Sequence, residues 1–325
     1  MQSDMTDVNV LCGDMTALSS QPRKIFDDKV MDYLGRVSET ILHDSLARQY
    51  SDVITYAFYV RRANLNKLRE KYGSESMKYM GRGLTFHIAP SNVAINFAYT
   101  MTAGLLAGNV CVVKASSKEF AQTRIVAKAF KSVLKEPEFE DLRPYVNVIE
   151  YEREKREITK YFSSICDVRV IWGGDMTIEA VRKAPVPPRT FDVTFADRYS
   201  ICVIKAEKIL SCEKMEGLAK DFYNDTYLYD QNACSSPRLL YWVGNAETVL
   251  KAQKLFWRAI WENIKNRYLL ETVVAVDKYT MLCRAAIDLE ILDIPVMEDN
   301  LITRIKLKKL NSDLPKYQEG GGLFL

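Results

Sequence analysis

The chain has 325 residues, 45 basic and 42 acidic, with a formal net charge of +3. That length allows two ordinary domains, and the balanced charge supplies no overall field for nucleic acid or an anionic membrane. Seven cysteines without paired spacing argue against a disulfide framework and for a reducing compartment, while two histidines, His43 and His87, are too few for the usual zinc ligand sets.

Residues 1–20 mix Asp, Thr and Ser with scattered apolar positions and have no basic segment leading into an apolar one, so they are not a secretory signal. A cytoplasmic protein is expected. Residues 21–72 read as helical, because Phe26, Val30, Met31, Tyr33 and Leu34, then Ile41, Leu42 and Leu46, recur at helical spacing. Arg61 and Arg62 read as part of a solvated face. The longest uncharged stretch, 83–113, has the length of a membrane span. Pro90, Ser91, Asn92, Asn96, Gly104, Gly108 and Asn109 interrupt it, so strand, loop, helix and strand inside a folded domain is the better reading, with no span.

Strands are expected at 84–88, 110–114, 146–149 and 168–172, and helices at 93–106, 119–134, 152–162 and 176–183. Strands that alternate with helices and are apolar along their length make a parallel sheet covered on both faces. Such sheets bind ligands beyond the carboxyl ends of their strands. Three strand ends carry suitable groups: Asn92, then Lys114 with Ser116 and Ser117, then Gly173 with Gly174. A Gly-Gly turn into a helix offers free N–H groups to a pyrophosphate, and a lysine closing a buried strand needs a partner for its charge. No G-x-G-x-x-G follows a strand, so the ordinary dinucleotide fingerprint is missing.

Pro185, Pro187 and Pro188 impose an extended connection, and 200–206 reads as a further strand. An acidic, aromatic run with Phe222, Tyr223, Tyr227 and Tyr229 follows; it packs in a core or lines an acyl channel, the core being the commoner use of such rings. Cys234 then sits among small polar residues ahead of Pro237 and a buried strand at 238–243. Free cysteines usually just pack, but a thiol at the mouth of a strand is rigidly held and still reachable, as a nucleophile must be. A helix at 246–267 and mixed elements near Ile291 follow, and the closing Leu323, Phe324 and Leu325 look like the start of a strand.

Five stretches, in this order, resemble the aldehyde dehydrogenase superfamily and, within it, the LuxC acyl-CoA reductases of bacterial bioluminescence. They are His87-Ile88-Ala89-Pro90-Ser91-Asn92-Val93, Ala103-Gly104-Leu105-Leu106-Ala107-Gly108-Asn109, Ile171-Trp172-Gly173-Gly174-Asp175, Phe191-Asp192-Val193-Thr194-Phe195-Ala196-Asp197-Arg198-Tyr199 and Asp230-Gln231-Asn232-Ala233-Cys234-Ser235-Ser236-Pro237. The resemblance implies an α/β fold like that of the aldehyde dehydrogenases. A parallel Rossmann-like cofactor domain over 1–204 would be followed by a second α/β catalytic domain over 205–325, short at its C-terminal end. It implies Cys234 as the nucleophile that takes the acyl group as a thioester, with Asn92 and the Cys234 backbone N–H holding the oxyanion. Such donors typically contribute ~10²–10³ in rate. Lys114 would bind the adenosine ribose and Gly173 and Gly174 would face the pyrophosphate. Ser117 falls near the place where NAD-preferring relatives carry a glutamate, and with Ser116 and Lys114 it leaves room for a 2′-phosphate, which favours NADPH. The glutamate that activates water in aldehyde-oxidising relatives falls near Phe195, with Asp197 close by.

The implied activity is NADPH-dependent reduction of a fatty acyl-CoA, or another acyl thioester, to the aldehyde. Two alternatives stay open: a CoA-acylating aldehyde dehydrogenase working oxidatively, and a shortened non-catalytic module that binds nucleotide or a partner. An acyl-transfer protein subunit and a second copy of the chain are the partners the resemblance allows; metal and nucleic acid are not expected.

Overall fold

A computed structural model describes residues 7–73, 77–91, 93–228, 230–231, 233–270, 272–293, 296–317 and 323–325. It divides into two compact units, Met1–Asp197 and Arg198–Leu325.

In the first unit the chain runs β1 (Asn9–Cys12), α1 (Asp28–His43), α2 (Ser51–Tyr59), α3 (Arg62–Tyr72), β2 (Leu84–Ile88), α4 (Asn96–Leu106), β3 (Val110–Lys114), α5 (Ala121–Val133), β4 (Val146–Glu150), α6 (Arg156–Ile165), β5 (Val168–Trp172), α7 (Asp175–Arg182) and β6 (Phe191–Phe195). The sheet order is β1-β4-β3-β2-β5-β6, parallel throughout except for β1, which pairs antiparallel with β4. The stretch 21–72, expected to be helical, carries the three helices α1, α2 and α3. α1 starts where the Asp27 side chain accepts from the N–H groups of Lys29 and Val30, and it buries Val30, Met31, Tyr33, Leu34, Val37 and Ile41. α4 ends on Gly108, whose φ of +80° suits glycine and lets Asn109 N–H reach the Gly104 carbonyl at 3.0 Å. β2 and β4 are buried along their whole length and β3 and β5 up to their last residue, so helices cover both sheet faces.

The second unit contains β7 (Ser200–Lys205), α8 (Ala206–Leu210), α9 (Met215–Thr226), β8 (Pro237–Val243), α10 (Ala246–Ile264), α11 (Thr272–Asp288), β9 (Val296–Glu298), β10 (Ile302–Ile305) and β11 (Leu323–Phe324). Its sheet has the order β7-β8-β11-β10-β9, with only β9 antiparallel to its neighbour. Alternate residues point to opposite faces, as strand geometry requires. Leu240, Ile302 and Leu323 meet Phe222, Tyr223, Tyr227, Phe256 and Ile260 from α9, its C-terminal end and α10. Leu239, Ile305 and Phe324 meet Met281, Leu282 and Ala285 from α11. The aromatic run that precedes Cys234 therefore builds core at Phe222, Tyr223 and Tyr227; Tyr229 lies outside the described residues. The apolar triplet at the end of the sequence supplies the middle strand of this sheet. Among the described residues no helix is long and apolar enough to cross a membrane.

Candidate active site

The first sheet reverses its strand order beside β2. From β2 the chain steps outward through β3 to β4, then returns to place β5 on the other side of β2. The carboxyl ends of β2 and β5 thus flank a topological switch point, the place where open parallel sheets take their ligands. Gly173 and Gly174 follow β5 directly, and Lys114 ends β3 next door, with Ser116 and Ser117 in the turn after it. These five predicted residues share one edge of the sheet. Asn92, predicted to follow β2, lies outside the described residues.

Lys114 is half-buried, with its ammonium 4.9 Å from the centre of the Tyr151 ring and 3.4 Å from the Ala115 carbonyl. Burial pushes its pKa down, and Glu152 and Glu150 resist that fall. A cation held so, with donors to spare, fits a ribose or phosphate oxygen. Ser116 is buried, donating weakly to the Ser91 carbonyl at 3.5 Å and accepting from Lys118 N–H at 3.1 Å, so it shapes the turn. Ser117 is exposed. Gly174 caps α7, whose first N–H groups lack helical partners, and a Cβ at Gly173 would press on Thr177 at 3.0 Å. The donor set therefore fits a dinucleotide. One group opposes it: a Cβ at Gly174 would lie 2.5 Å from Asp197 Oδ2, so a carboxylate already stands at this helix terminus.

Behind the edge, His87 is buried and bonded to Thr100 Oγ1 at 2.7 Å and Thr85 Oγ1 at 2.8 Å, and Trp172 Nε1 donates to the same Thr100 at 3.2 Å. Burial pushes the His87 imidazole down to about 3, so it stays neutral and ties β2, α4 and β5 together instead of serving as a base.

The cysteines separate by environment. Burial pushes the thiols of Cys12, Cys111 and Cys166 up to about 12, which removes them as thiolates. Cys234 and Cys283 are exposed. Cys283 lies on the regular helix α11, whereas Cys234 occupies the turn that enters β8. Ser200 on the neighbouring strand donates to the Cys234 carbonyl at 2.8 Å, and Ser236 N–H closes a turn on Ala233 at 2.9 Å. Both bonds fix backbone while leaving the thiol reachable.

Comparison with known proteins decides the family. The family described as acyl-CoA reductase (LuxC) matches residues 24–265. The chain belongs to this family. The long-chain acyl-protein thioester reductase of Aliivibrio fischeri is 25% identical over 171 residues, which make up 52% of this chain and 34% of that protein. The protein of the same name from Photorhabdus laumondii subsp. laumondii is 27% identical over 170 residues, again 52% of this chain and 34% of the relative. The matched stretch thus spans about a third of the length of these relatives. Among solved structures, an oxidoreductase from Marinobacter aquaeolei superposes with a TM-score of 0.62 at 11% identity, over 96% of this chain and 71% of that one. A lactaldehyde dehydrogenase gives 0.61 at 14% identity, over 91% and 68%. These likenesses show an aldehyde-dehydrogenase-like fold.

Within that fold, Phe195 ends β6 and stacks on Trp172 with ring centres 3.8 Å apart, and Asp197 lies just beyond the strand. Cys234 belongs to the second unit and the dinucleotide edge to the first. Sequence reasoning passed over two polar residues packed near the cysteine turn: Arg238, which donates to the Gln231 carbonyl, and the fully buried Lys278. A charged residue inside an apolar run, as at Lys278, is the signal that could have flagged it. A cleft of about 430 Å³ in the second unit, lined by Lys254, Trp257, Trp261 and Arg304 among others, includes none of the predicted site residues.

Proposed function

We propose that this chain reduces a fatty acyl thioester to the aldehyde through a covalent acyl-Cys234 intermediate, with NADPH as reductant. The observation that carries the reading is the Cys234 turn: an exposed thiol on braced backbone, in a family of acyl-CoA reductases. The Cys234 thiolate attacks the acyl carbonyl. Its backbone N–H holds the developing oxyanion, and the family resemblance assigns Asn92 to the same oxygen. The thiolate of the donor, coenzyme A or a carrier protein, leaves and the acyl group rests on Cys234 as a thioester. Bound NADPH would supply a hydride. Delivered to the thioester carbon, that hydride gives a hemithioacetal, which takes a proton at oxygen and collapses to aldehyde and free thiol, so the nucleophile is regenerated.

Lys114, Ser116, Ser117, Gly173 and Gly174 are the residues assigned to the dinucleotide. The exposed Ser117 leaves the 2′-phosphate unopposed. The family resemblance puts the base position near Phe195, whose ring cannot activate water, so the acyl-enzyme waits for hydride instead of hydrolysing. The names of the relatives speak of acyl-protein thioesters, so the donor is tested directly. NADPH oxidation is followed with a long-chain acyl-CoA and with the same acyl group on a carrier protein, for wild type and Cys234→Ala. Turnover with either donor in wild type alone supports the reading. Equal turnover in the variant removes Cys234 from the mechanism, and no turnover with either donor removes the reductase.

A further inference from the structure

Asp230 and Gln231 adopt left-handed backbone, with φ of 50° and 60°, a few residues before Cys234. Neither is glycine; a short Asp side chain tolerates this conformation, but Gln231 holds it only where its surroundings impose it. Local bonds begin the turn at the end of α9: Asp230 N–H donates to the Tyr227 carbonyl at 3.1 Å and Gln231 N–H to the Thr226 carbonyl at 3.0 Å. Arg238, on β8, donates to the Gln231 carbonyl from the other side.

A third brace comes from the far end of the unit's sequence. Lys278, on α11, has no exposed surface. Its ammonium donates to the Tyr268 hydroxyl at 3.0 Å and to the Leu301 carbonyl at 3.3 Å and faces the Tyr227 ring, and the Asp230 carboxylate acts electrostatically on both Lys278 and Tyr268. The direction of the bonds is fixed. An ammonium can only donate, so Tyr268 accepts from Lys278 with its oxygen. A buried lysine is an expensive way to fill a helix position that an apolar side chain would fill more stably. What the lysine adds is a buried positive charge that, with Tyr268 beside it, acts on the carboxylate of Asp230, the first left-handed residue of the turn.

We propose that Lys278 and Tyr268 are positioning residues that act through Asp230 to fix the turn presenting the Cys234 thiol. The role in turnover rests on the reading of Cys234 as nucleophile. Burial pushes the Lys278 ammonium down to about 8, opposed by Asp230 and aided by Arg238; Tyr227 and Tyr268 are the other titratable groups facing it. The relay is therefore charged below that pH and weakens above it.

The test uses the full chain as wild type, Lys278→Met and Tyr268→Phe. Two rates are followed against pH: alkylation of Cys234 by iodoacetamide, read on its own peptide by mass spectrometry, and acyl transfer from a long-chain acyl-CoA. Acyl transfer should slow by about tenfold to a hundredfold in both variants, since misplacing a reacting group by about an ångström costs on that order. Dinucleotide affinity should not change. In wild type the acyl-transfer rate per thiolate should fall as pH rises through about 8, and Lys278→Met should lose that fall. If Lys278→Met does not fold, as judged by circular dichroism, Tyr268→Phe decides alone, because it removes a single oxygen. Wild-type rates for both reactions at every pH in folded Tyr268→Phe overturn the proposal. If the relay governs alkylation but wild type accepts no acyl group, the positioning role stands and the reductase reading falls. If wild type is acylated and neither variant changes either rate, the positioning role falls and the reductase reading stands.

Discussion

His87 makes the stability of the first unit depend on pH in a way that can be worked out in advance. Its imidazole is buried, bonded to two threonine hydroxyls, and pushed from an ordinary value of 6.5 down to about 3. As pH falls through 6.5 the unfolded chain takes up a proton at this residue and the folded chain does not, so stability present above 6.5 is lost on acidification. At ~1.4 kcal/mol per pH unit below that value, the loss between pH 7 and pH 5 is about 2 kcal/mol. Urea unfolding followed by circular dichroism at the two pH values measures it. The control is His87→Gln, which lowers stability at both pH values and removes this part of the pH dependence. His43 is exposed and common to both proteins, so it cancels in the difference. Equal pH dependence in the two proteins would refute the account and mean that His87 is protonated in the fold or not buried.

Arg169→Met should destabilise the first unit by about 3–5 kcal/mol, because it leaves a largely buried carboxylate without its main partner. Arg169 binds Asp192 through two bonds of 2.8 and 3.1 Å and also donates to Ser163 and to the Val181 and Ala184 carbonyls. Burial alone would raise the Asp192 carboxyl, but Arg169 and Arg182 hold it below the usual range. The pair's contribution is therefore present above the unfolded carboxyl value and lost as pH falls through the lower folded one, and the gap between urea titrations of wild type and variant should narrow in acid. Asp197→Asn removes the negative charge beside the Gly173-Gly174 turn, and calorimetry should show NADP⁺ binding about two- to fivefold tighter, the worth of one charge near a helix end; weaker binding would mean that Asp197 assists the cofactor. Ser117→Glu places a like charge near the 2′-phosphate and should lower the NADPH-to-NADH ratio of kcat/KM by about tenfold or more, whereas an unchanged ratio would take Ser117 out of cofactor choice.

Much of the first unit was legible in the sequence because its strands are short, mostly apolar runs closed by polar turns. Those at 84–88, 110–114 and 168–172 needed no correction. Helix starts were less legible. The charged helix expected at 152–162 begins only at Arg156, because Lys155 N–H first closes a turn on the Glu152 carbonyl at 3.0 Å. α11 was missed because Val273, Val274 and Val276 look like strand and the buried Lys278 breaks the apolar stripe. Partner-dependent features were not legible at all. β1 exists only by pairing with β4, and β11 is recognisable as a strand but not as the middle of its sheet. The site behaved in the same way. Residue types at strand ends marked Lys114, the Gly-Gly turn and Cys234, while the approach of Asp197 to Gly174 and the brace from Lys278 join residues far apart in the chain.

The central claim is that Cys234 carries the acyl group. Intact mass spectrometry after mixing the full chain with a long-chain acyl-CoA, without NADPH, tests it most directly. The account predicts one acyl adduct on wild type and on Cys283→Ser, none on Cys234→Ala, and discharge of the adduct when NADPH is added. An adduct that persists on Cys234→Ala, or none on wild type across a range of chain lengths, would contradict it.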